Sequence, residues 1–114
     1  MIEDDLDAAE ALGFVLRDWG AEVATGVSAS SVAGKLGPRT RDIAWIVADF
    51  DLGARPNGID CALDLVNLAP QARVLVLSGT FLGSGEPVAK AAGFDFMPKP
   101  ATPHAIIRWL EAEA

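Results

Sequence analysis

The sequence predicts an α/β domain built on a five-stranded, doubly wound parallel sheet with helices on both faces. Segments with helical spacing of apolar residues alternate along the chain with short strand-like runs, and this alternation is typical of parallel sheets. The run at 43–48 is continuously apolar, as expected of a strand whose two faces are both covered. The chain has 114 residues, of which 51% are hydrophobic. This length suits one domain with a substantial core and is too short for two.

Helical periodicity and end signals predict five helices. The most regular is 7–19, where Gly20 follows at a usual C-cap position. In chain order, the others are 28–36, a helix capped by Asn57 and broken at Ala69, a short helix starting near Glu86 or Pro87, and a last helix opened by Thr102 and Pro103. Gly83 and Gly85 disfavour an earlier start of the fourth helix, because a glycine costs about 1 kcal/mol in a helix interior. We expect this helix to be short and labile.

The strands are predicted from short apolar runs bounded by turn residues. Four of them are complete, at 22–27, 43–48, 73–77 and 94–97. The first strand of the pattern is reduced to Met1 and Ile2, so the sheet is expected to have a truncated first strand. Such a strand would leave backbone groups exposed on its two neighbours and would weaken the anchoring of the acidic residues that follow it.

Charge and cysteine content exclude several classes of protein. The net charge of −7 argues against a general binder of nucleic-acid backbones, because such proteins concentrate Lys and Arg on one face. Cys61 is the single cysteine and falls on the apolar side of a predicted helix, which suits a buried thiol in a reducing compartment. No run has the length of a membrane span, and the first residues lack the features of a signal peptide. We expect a cytoplasmic protein that binds neither nucleic acid nor membranes.

Polar residues stand where four of the predicted strands end, namely Glu3 with Asp4, then Asp49, Ser78 and Lys99. The carboxyl ends of parallel strands share one edge of the sheet, so these side chains are expected to converge. Carboxylates bind hard divalent cations such as Mg²⁺, and a lysine and a hydroxyl beside them suit an incoming phosphoryl group. The sequence therefore predicts a phosphoryl-accepting site.

Taken singly, these residues have simpler explanations. Acidic residues ahead of a helix, such as Glu3 and Asp4, are usually placed there by capping and the helix dipole. An aspartate at a strand end, such as Asp49, is more often a turn former, and Asp51 is a second candidate two residues later. Lys99 alone would be a solvated surface lysine. Only their occurrence together favours a shared site.

Several segments in succession resemble the receiver domain of two-component response regulators. They are IEDD at 2–5, IVADFDL at 46–52, NG at 57–58, VLVLSG at 74–79, AG at 92–93 and MPKP at 97–100. The resemblance covers nearly the whole chain and implies the flavodoxin-like receiver fold. The segments around 57–58, 77–79 and 98–100 are most similar to receivers attached to hybrid sensor histidine kinases.

The resemblance implies that Asp49 is the phosphoacceptor, attacking a phosphoryl group carried by a histidine of a partner. It implies that Mg²⁺ is held by Asp4, by Asp49 and by the backbone carbonyl of Asp51, with Glu3 acting through water. Clustered carboxylates repel one another without a cation, so metal binding and ionisation are expected to be coupled.

The remaining implied roles belong to the switch. Lys99 would pair with a phosphoryl oxygen, Ser78 would move to bond the same group, and Phe96 occupies the position of the family's rotating aromatic residue. Because the family's fourth helix, fifth strand and fifth helix form the surface that changes on phosphorylation, a homodimer through these elements is possible.

The resemblance implies a signalling module and not an enzyme acting on a separate substrate. Its partner would be a histidine kinase or a phosphotransfer protein. One alternative is a pseudo-receiver that serves as a docking or dimerisation module without being phosphorylated; the joint presence of Asp4, Asp49, Ser78 and Lys99 speaks against it. Another is a small enzyme or flavin carrier on the same topology, which is disfavoured because no phosphate-cradling glycine-rich loop follows the first strand.

Overall fold

The computed structural model describes residues 1–3, 6–50, 58–79, 85–99 and 101–112. From the first strand onward, helices and strands alternate as the sequence predicts, whereas three helices follow one another before it. In order they are α1 (Leu6–Trp19), α2 (Ala29–Leu36), a 3₁₀ helix (Gly37–Asp42), β1 (Trp45–Asp49), α3 (Gly58–Leu68), β2 (Arg73–Ser78), α4 (Gly85–Ala91), β3 (Asp95–Pro98) and α5 (Pro103–Glu111).

The sheet has three parallel strands in the order β1-β2-β3. The sequence predicts five strands; within the described residues, the first two predicted strands are reduced to isolated bridges. Ile2 forms parallel bridges with Gly26 on one side and Ala48 on the other. Within the described residues, the segment at 22–27 bonds to residues 1–3 through positions 24–26. The ladder therefore ends after a few hydrogen bonds.

Helices cover both faces of this sheet, so the arrangement is doubly wound. Because side chains alternate along a strand, β1 and β2 supply residues to two separate cores. The first core lies under α2, α3 and α4 and includes Ile46, Ala48, Val74 and Val76. The second lies under α1 and α5 and includes Val47, Leu75 and Leu77. This explains why the sequences of β1 and β2 are continuously apolar.

Several predicted helix ends are confirmed. The Ser28 hydroxyl accepts from the Ser31 amide at 3.2 Å at the start of α2. The Thr102 hydroxyl likewise accepts from the Ala105 amide at 3.1 Å at the start of α5. After α1, Gly20 has a φ of 120°, a conformation that glycine adopts without steric cost. These signals fix the lengths of the helices and so the places where the strands emerge.

The fourth helix is short, as predicted, with seven residues from Gly85 to Ala91. It begins one residue earlier than the sequence indicated, because a glycine is acceptable at a helix end while its cost applies to the interior. None of the helices within the described ranges is long and apolar enough to cross a membrane.

Candidate functional site

Asp49 and Lys99 form the centre of the candidate site. Asp49 is the last residue of β1, and its side chain is only 4% exposed. The Lys99 Nζ lies 2.9 Å from the Asp49 Oδ1, while the lysine side chain remains 33% exposed. A buried carboxylate thus forms a salt bridge with a partly exposed lysine. This arrangement places a nucleophilic oxygen beside a positive charge at the edge of the sheet.

Main-chain bonds fix the position of this pair. The Lys99 amide donates to the Ser78 carbonyl at 2.9 Å, just beyond the paired ends of β2 and β3. The Phe50 amide donates to the Leu77 carbonyl at 2.8 Å, which holds the end of β1 against β2. Asp49 and Lys99 therefore meet because three parallel strands end together.

Ser78 lies at the same edge. It is the last residue of β2 and is 4% exposed. Its register neighbour on β3 is Pro98, while Asp49 pairs with Leu77, the residue before it. The three predicted residues Asp49, Ser78 and Lys99 are therefore brought to one end of adjacent strands.

Glu3 is the fourth residue at this edge. It is half-buried and follows Ile2, whose bridge partner Ala48 precedes Asp49. The Glu3 amide donates to the Gly26 carbonyl at 3.0 Å. Glu3 therefore lies beside Asp49, on the segment that runs next to β1.

The other two predicted metal ligands, Asp4 and Asp51, lie outside the described residues. Within the described ranges, no three acidic, histidine or cysteine side chains are grouped closely enough to hold a metal ion. The oxygen donors that are described, on Asp49 and Glu3, are of the type that a hard cation prefers. The described members of the predicted ligand set, Asp49 and Glu3, are therefore chemically suitable for a hard cation.

Phe96 occupies β3, three residues before Lys99, in register with Val76. Its side chain is half-buried and packs against the core under α2, α3 and α4. The ring therefore lies at the border between that core and solvent.

Ile2 is a positioning residue that the sequence reasoning did not identify. Its amide donates to the Val47 carbonyl at 2.8 Å, and its carbonyl accepts from the Asp49 amide at 2.9 Å. The main chain of Ile2 therefore holds Asp49 directly. Main-chain hydrogen bonds do not require a particular amino acid, so the sequence does not reveal them. An apolar residue directly before an acidic pair is only a weak indication of this role.

No family model matches the sequence, and no curated protein matches it. Solved structures do match. A response regulator receiver domain protein from Clostridium thermocellum has a TM-score of 0.78 at 21% identity, covering 92% of this chain and 83% of that chain. The Vibrio cholerae chemotaxis protein CheY4 has a TM-score of 0.79 at 18% identity, covering 96% and 92%.

The chain has the receiver-domain fold. A third structure with this fold is a response regulator from Burkholderia pseudomallei, which contains a phosphorylated aspartic acid, a calcium ion and citrate. It has a TM-score of 0.73 at 27% identity, and the match covers 97% of this chain and 64% of that one. These structural neighbours share their fold with this chain.

Proposed function

We propose that this protein is the phosphoacceptor receiver domain of a two-component phosphorelay, and that Asp49 takes a phosphoryl group from a histidine of a partner protein. The observation that carries the proposal is the buried Asp49 carboxylate 2.9 Å from the Lys99 ammonium. The receiver-domain fold and a structural neighbour with a phosphorylated aspartic acid support it.

In the proposed reaction, an Asp49 carboxylate oxygen attacks the phosphorus atom of the phosphorylated imidazole. An O–P bond forms, the N–P bond breaks, and the imidazole nitrogen leaves with the electron pair. Phosphoryl transfer spreads negative charge over the phosphoryl oxygens, so positioning and charge stabilisation account for most of the catalysis. Lys99 stands beside the attacking carboxylate and would pair with one of those oxygens.

The metal that suits this chemistry is Mg²⁺. Asp49, Asp4 and the Asp51 carbonyl would hold it directly, with Glu3 acting through water. The bound cation would neutralise charge on the phosphoryl oxygens. A neighbour with a calcium ion supports divalent metal binding at receiver sites.

The proposed output is a change at the surface formed by α4, β3 and α5. Ser78 lies at the end of β2 and would bond a phosphoryl group on Asp49, while Phe96 on the next strand would turn further into the core. Both residues are close to the site through the register of β2 and β3. The partners are a histidine kinase or phosphotransfer protein and, at the changed surface, a second receiver.

The direct test is incubation with Mg²⁺ and acetyl phosphate followed by intact mass spectrometry. We expect one added phosphoryl group on the natural sequence and none on Asp49→Asn. Asp64→Asn is the matched control, because Asp64 is an exposed carboxylate on α3. It should be phosphorylated like the natural sequence.

Omitting Mg²⁺ should also abolish the adduct. A folded protein that gains no phosphoryl group, or gains one equally in Asp49→Asn, would overturn the proposal. The first of these results would instead favour a docking module that is never phosphorylated.

A further inference from the structure

The extended segment that follows α1 is bonded to the sheet on one side only. The Gly26 amide donates to the Met1 carbonyl at 3.1 Å, and the Gly26 carbonyl accepts from the Glu3 amide at 3.0 Å. The Ala24 carbonyl accepts a hydrogen bond from the same direction. The main-chain groups of Ala24 and Gly26 therefore face residues 1–3.

The other residues of this segment face outward. Successive residues of an extended chain direct their amide and carbonyl groups to opposite sides, so those of Val23, Thr25 and Val27 point away from the sheet. These three residues form the outer edge. In the part of the chain that the structure describes, no strand pairs with it. An edge of this kind is a template on which a second chain can pair.

The segment itself has no residue that would block such pairing. Natural edge strands usually carry a charged residue or a proline that keeps other strands away. The sequence at 23–34 contains neither. All three residues of the outer edge are β-branched, and uncharged segments rich in such residues pair readily with copies of themselves. Any protection must therefore come from side chains outside this segment.

Two exposed cationic side chains cover the carbonyls of the outer edge. The Arg17 Nη2 donates to the Val23 carbonyl at 2.9 Å, and the Lys35 Nζ donates to the Thr25 carbonyl. Arg17 belongs to α1 and Lys35 to α2, so the cations reach the edge from opposite faces of the sheet. A strand that paired here would have to displace both of them.

Two glycines allow the cations to take these positions. A Cβ at Gly13 would lie 3.2 Å from the Arg17 Nη1, so the lack of a side chain leaves room for the guanidinium. A Cβ at Gly26 would lie 2.6 Å from the Ser31 Oγ, so α2 approaches the extended segment closely. Lys35 follows Ser31 by one helical turn and lies on the same side of α2. The packing of both helices therefore directs the cations to the outer edge.

A second copy of the chain is the partner that would fit an uncovered outer edge. Two copies related by a two-fold axis would pair antiparallel, with Thr25 opposite its own counterpart and Val23 opposite Val27. The Lys35 ammonium groups of both copies would then lie close together at the centre. Like charges at such a position oppose pairing.

We propose that Arg17 and Lys35 close the outer edge and so prevent this protein from pairing with a second copy of itself through residues 23–27. The two cations act by occupying the outward carbonyls and by placing positive charge where the second strand would lie. Neither residue belongs to the candidate site around Asp49, so this role goes beyond the proposed phosphorylation.

The test is a variant that combines Arg17→Met with Lys35→Met, which removes the donors and charges but keeps an unbranched side chain. In sedimentation experiments without Mg²⁺ or a phosphodonor, we expect the dimer Kd to be at least about tenfold lower than for the natural sequence, because the freed carbonyls accept main-chain hydrogen bonds. Arg41→Met with Arg108→Met is the matched control, since both arginines are exposed and the net charge changes equally. It should sediment like the natural sequence.

Two further measurements locate the contact. Amide exchange at Val23, Thr25 and Val27 should be at least about tenfold slower in the dimer of the double variant than in its monomer, because these amides then donate to the second copy. Adding Thr25→Pro to the double variant should restore the sedimentation of the natural sequence. Proline removes an outward donor and leaves the hydrogen bonds of Gly26 to residues 1–3 in place.

A folded double variant that sediments like the natural sequence would overturn the proposal, and Arg17 and Lys35 would then only satisfy two carbonyls. A dimer that survives Thr25→Pro, or that forms equally in the control variant, would also overturn it. Should the double variant not fold, Lys35→Gln supplies the same comparison, because it changes one exposed side chain; an unchanged Kd would again contradict the proposal. None of these measurements involves Asp49, so their outcome is independent of the proposed phosphorylation.

Discussion

Asp49 is a carboxylate buried at the end of β1, and the Lys99 ammonium is its charged neighbour at 2.9 Å. Removing one member of a buried ion pair is costly because the other charge is left without compensation in a poorly hydrated place. The partial exposure of Lys99 reduces this cost, since water can replace part of the lost interaction. The pair is therefore expected to matter more for placing charge in the site than for overall stability.

A double-mutant cycle measures this coupling. In EDTA, Lys99→Met alone should lower the free energy of unfolding by about 1–3 kcal/mol, because Asp49 remains charged and buried. The same change in an Asp49→Asn background should cost less, giving an interaction energy of about 1 kcal/mol or more. Urea unfolding of the four proteins supplies the values. Strictly additive losses would show that the two side chains do not interact in solution.

The Met1 amino group is a second buried ionisable group and donates to the Ala24 carbonyl at 2.8 Å. Burial, helped by the nearby charge of Lys35, lowers its pKa from 8.0 to about 5. The unfolded chain holds this proton below pH 8 and the folded chain only below about pH 5. Unfolding therefore takes up a proton in this window, and the stability contributed by the neutral amine is lost as the pH falls through it.

We accordingly expect the free energy of unfolding to fall between pH 8 and pH 5 by up to about 4 kcal/mol from this group. Above pH 8, this amino group should no longer change the free energy of unfolding with pH. Urea unfolding at several pH values checks this, with the amino-terminally acetylated chain as control, because acetylation removes only the titrating amine. Identical pH profiles for the two proteins would contradict a buried amino group.

At the scale of elements, α5 is tied to the sheet by one arginine. The Arg73 guanidinium lies 4.7 Å from the centroid of the Trp109 ring and donates to the Trp109 and Ala112 carbonyls at 3.2 and 2.8 Å. The Trp109 indole N–H donates to the Asp95 carboxylate at 2.7 Å, and Asp95 also pairs with Arg73 at 3.6 Å. One side chain at the start of β2 thus satisfies carbonyls at the end of α5 and joins that helix to β3.

Arg73→Met should therefore loosen α5 more than a change of the same kind elsewhere on the surface. We expect a loss of about 1–2 kcal/mol from the cation–π contact and the carbonyl hydrogen bonds. Tryptophan emission should also shift as Trp109 loses its partners. Arg108→Met, an exposed change on α5 itself, is the control and should cost less than about 0.5 kcal/mol. Equal losses in both variants would show that the cluster does not hold the helix.

The fourth helix is the shortest of the α-helices described. It has seven residues; Ala89 is fully buried, while Val88 is 46% exposed. A short helix with little buried apolar surface opens locally at low free energy. We expect amide exchange in α4 to be at least tenfold faster than in α3, measured by NMR under native conditions. Comparable protection of the two helices would contradict a labile α4 and favour a rigid one.

The elements that were predictable from the sequence carry local signals. The start of the second helix near Ser28, the cap at Thr102, the Gly20 stop and the apolar runs of β1, β2 and β3 each depend on a few adjacent residues. The 3₁₀ helix at Gly37–Asp42 was missed, because Gly37 and Pro38 signal the end of α2 without showing how the chain continues. The strand predicted at 22–27 is seen only as a bridge at Gly26, because strand pairing depends on distant segments that the local sequence does not show.

The candidate site was predictable for a similar reason. Asp49, Ser78 and Lys99 each follow an apolar strand, and parallel strands end on one edge. What the sequence could not show is that Lys99 pairs with Asp49, or that the main chain of Ile2 holds Asp49 in place. Those contacts depend on strand order and register, which are properties of the assembled sheet.

At the scale of the whole molecule, the two cores share one sheet. Leu65 on α3 belongs to the core on one face, Leu75 on β2 belongs to the core on the other, and each is 1% exposed. Since adjacent residues of β2 point into different cores, neither core can lose its packing while the strand stays in place. The protein is therefore expected to unfold in one cooperative step, as is usual for a domain of this size.

Leu65→Ala and Leu75→Ala test this cooperativity from opposite faces. Each should lower the free energy of unfolding by about 2–5 kcal/mol, from lost burial and from the cavity left behind. In each variant, tryptophan fluorescence and far-ultraviolet circular dichroism should give the same urea midpoint with an unchanged slope. Leu63→Ala is the matched control, because Leu63 lies two positions before Leu65 on α3 and is 43% exposed. If Leu65→Ala separated the two probes while Leu75→Ala did not, the faces of the sheet would be independent folding units, and the domain could relay a change at Asp49 to α5 without disturbing α3.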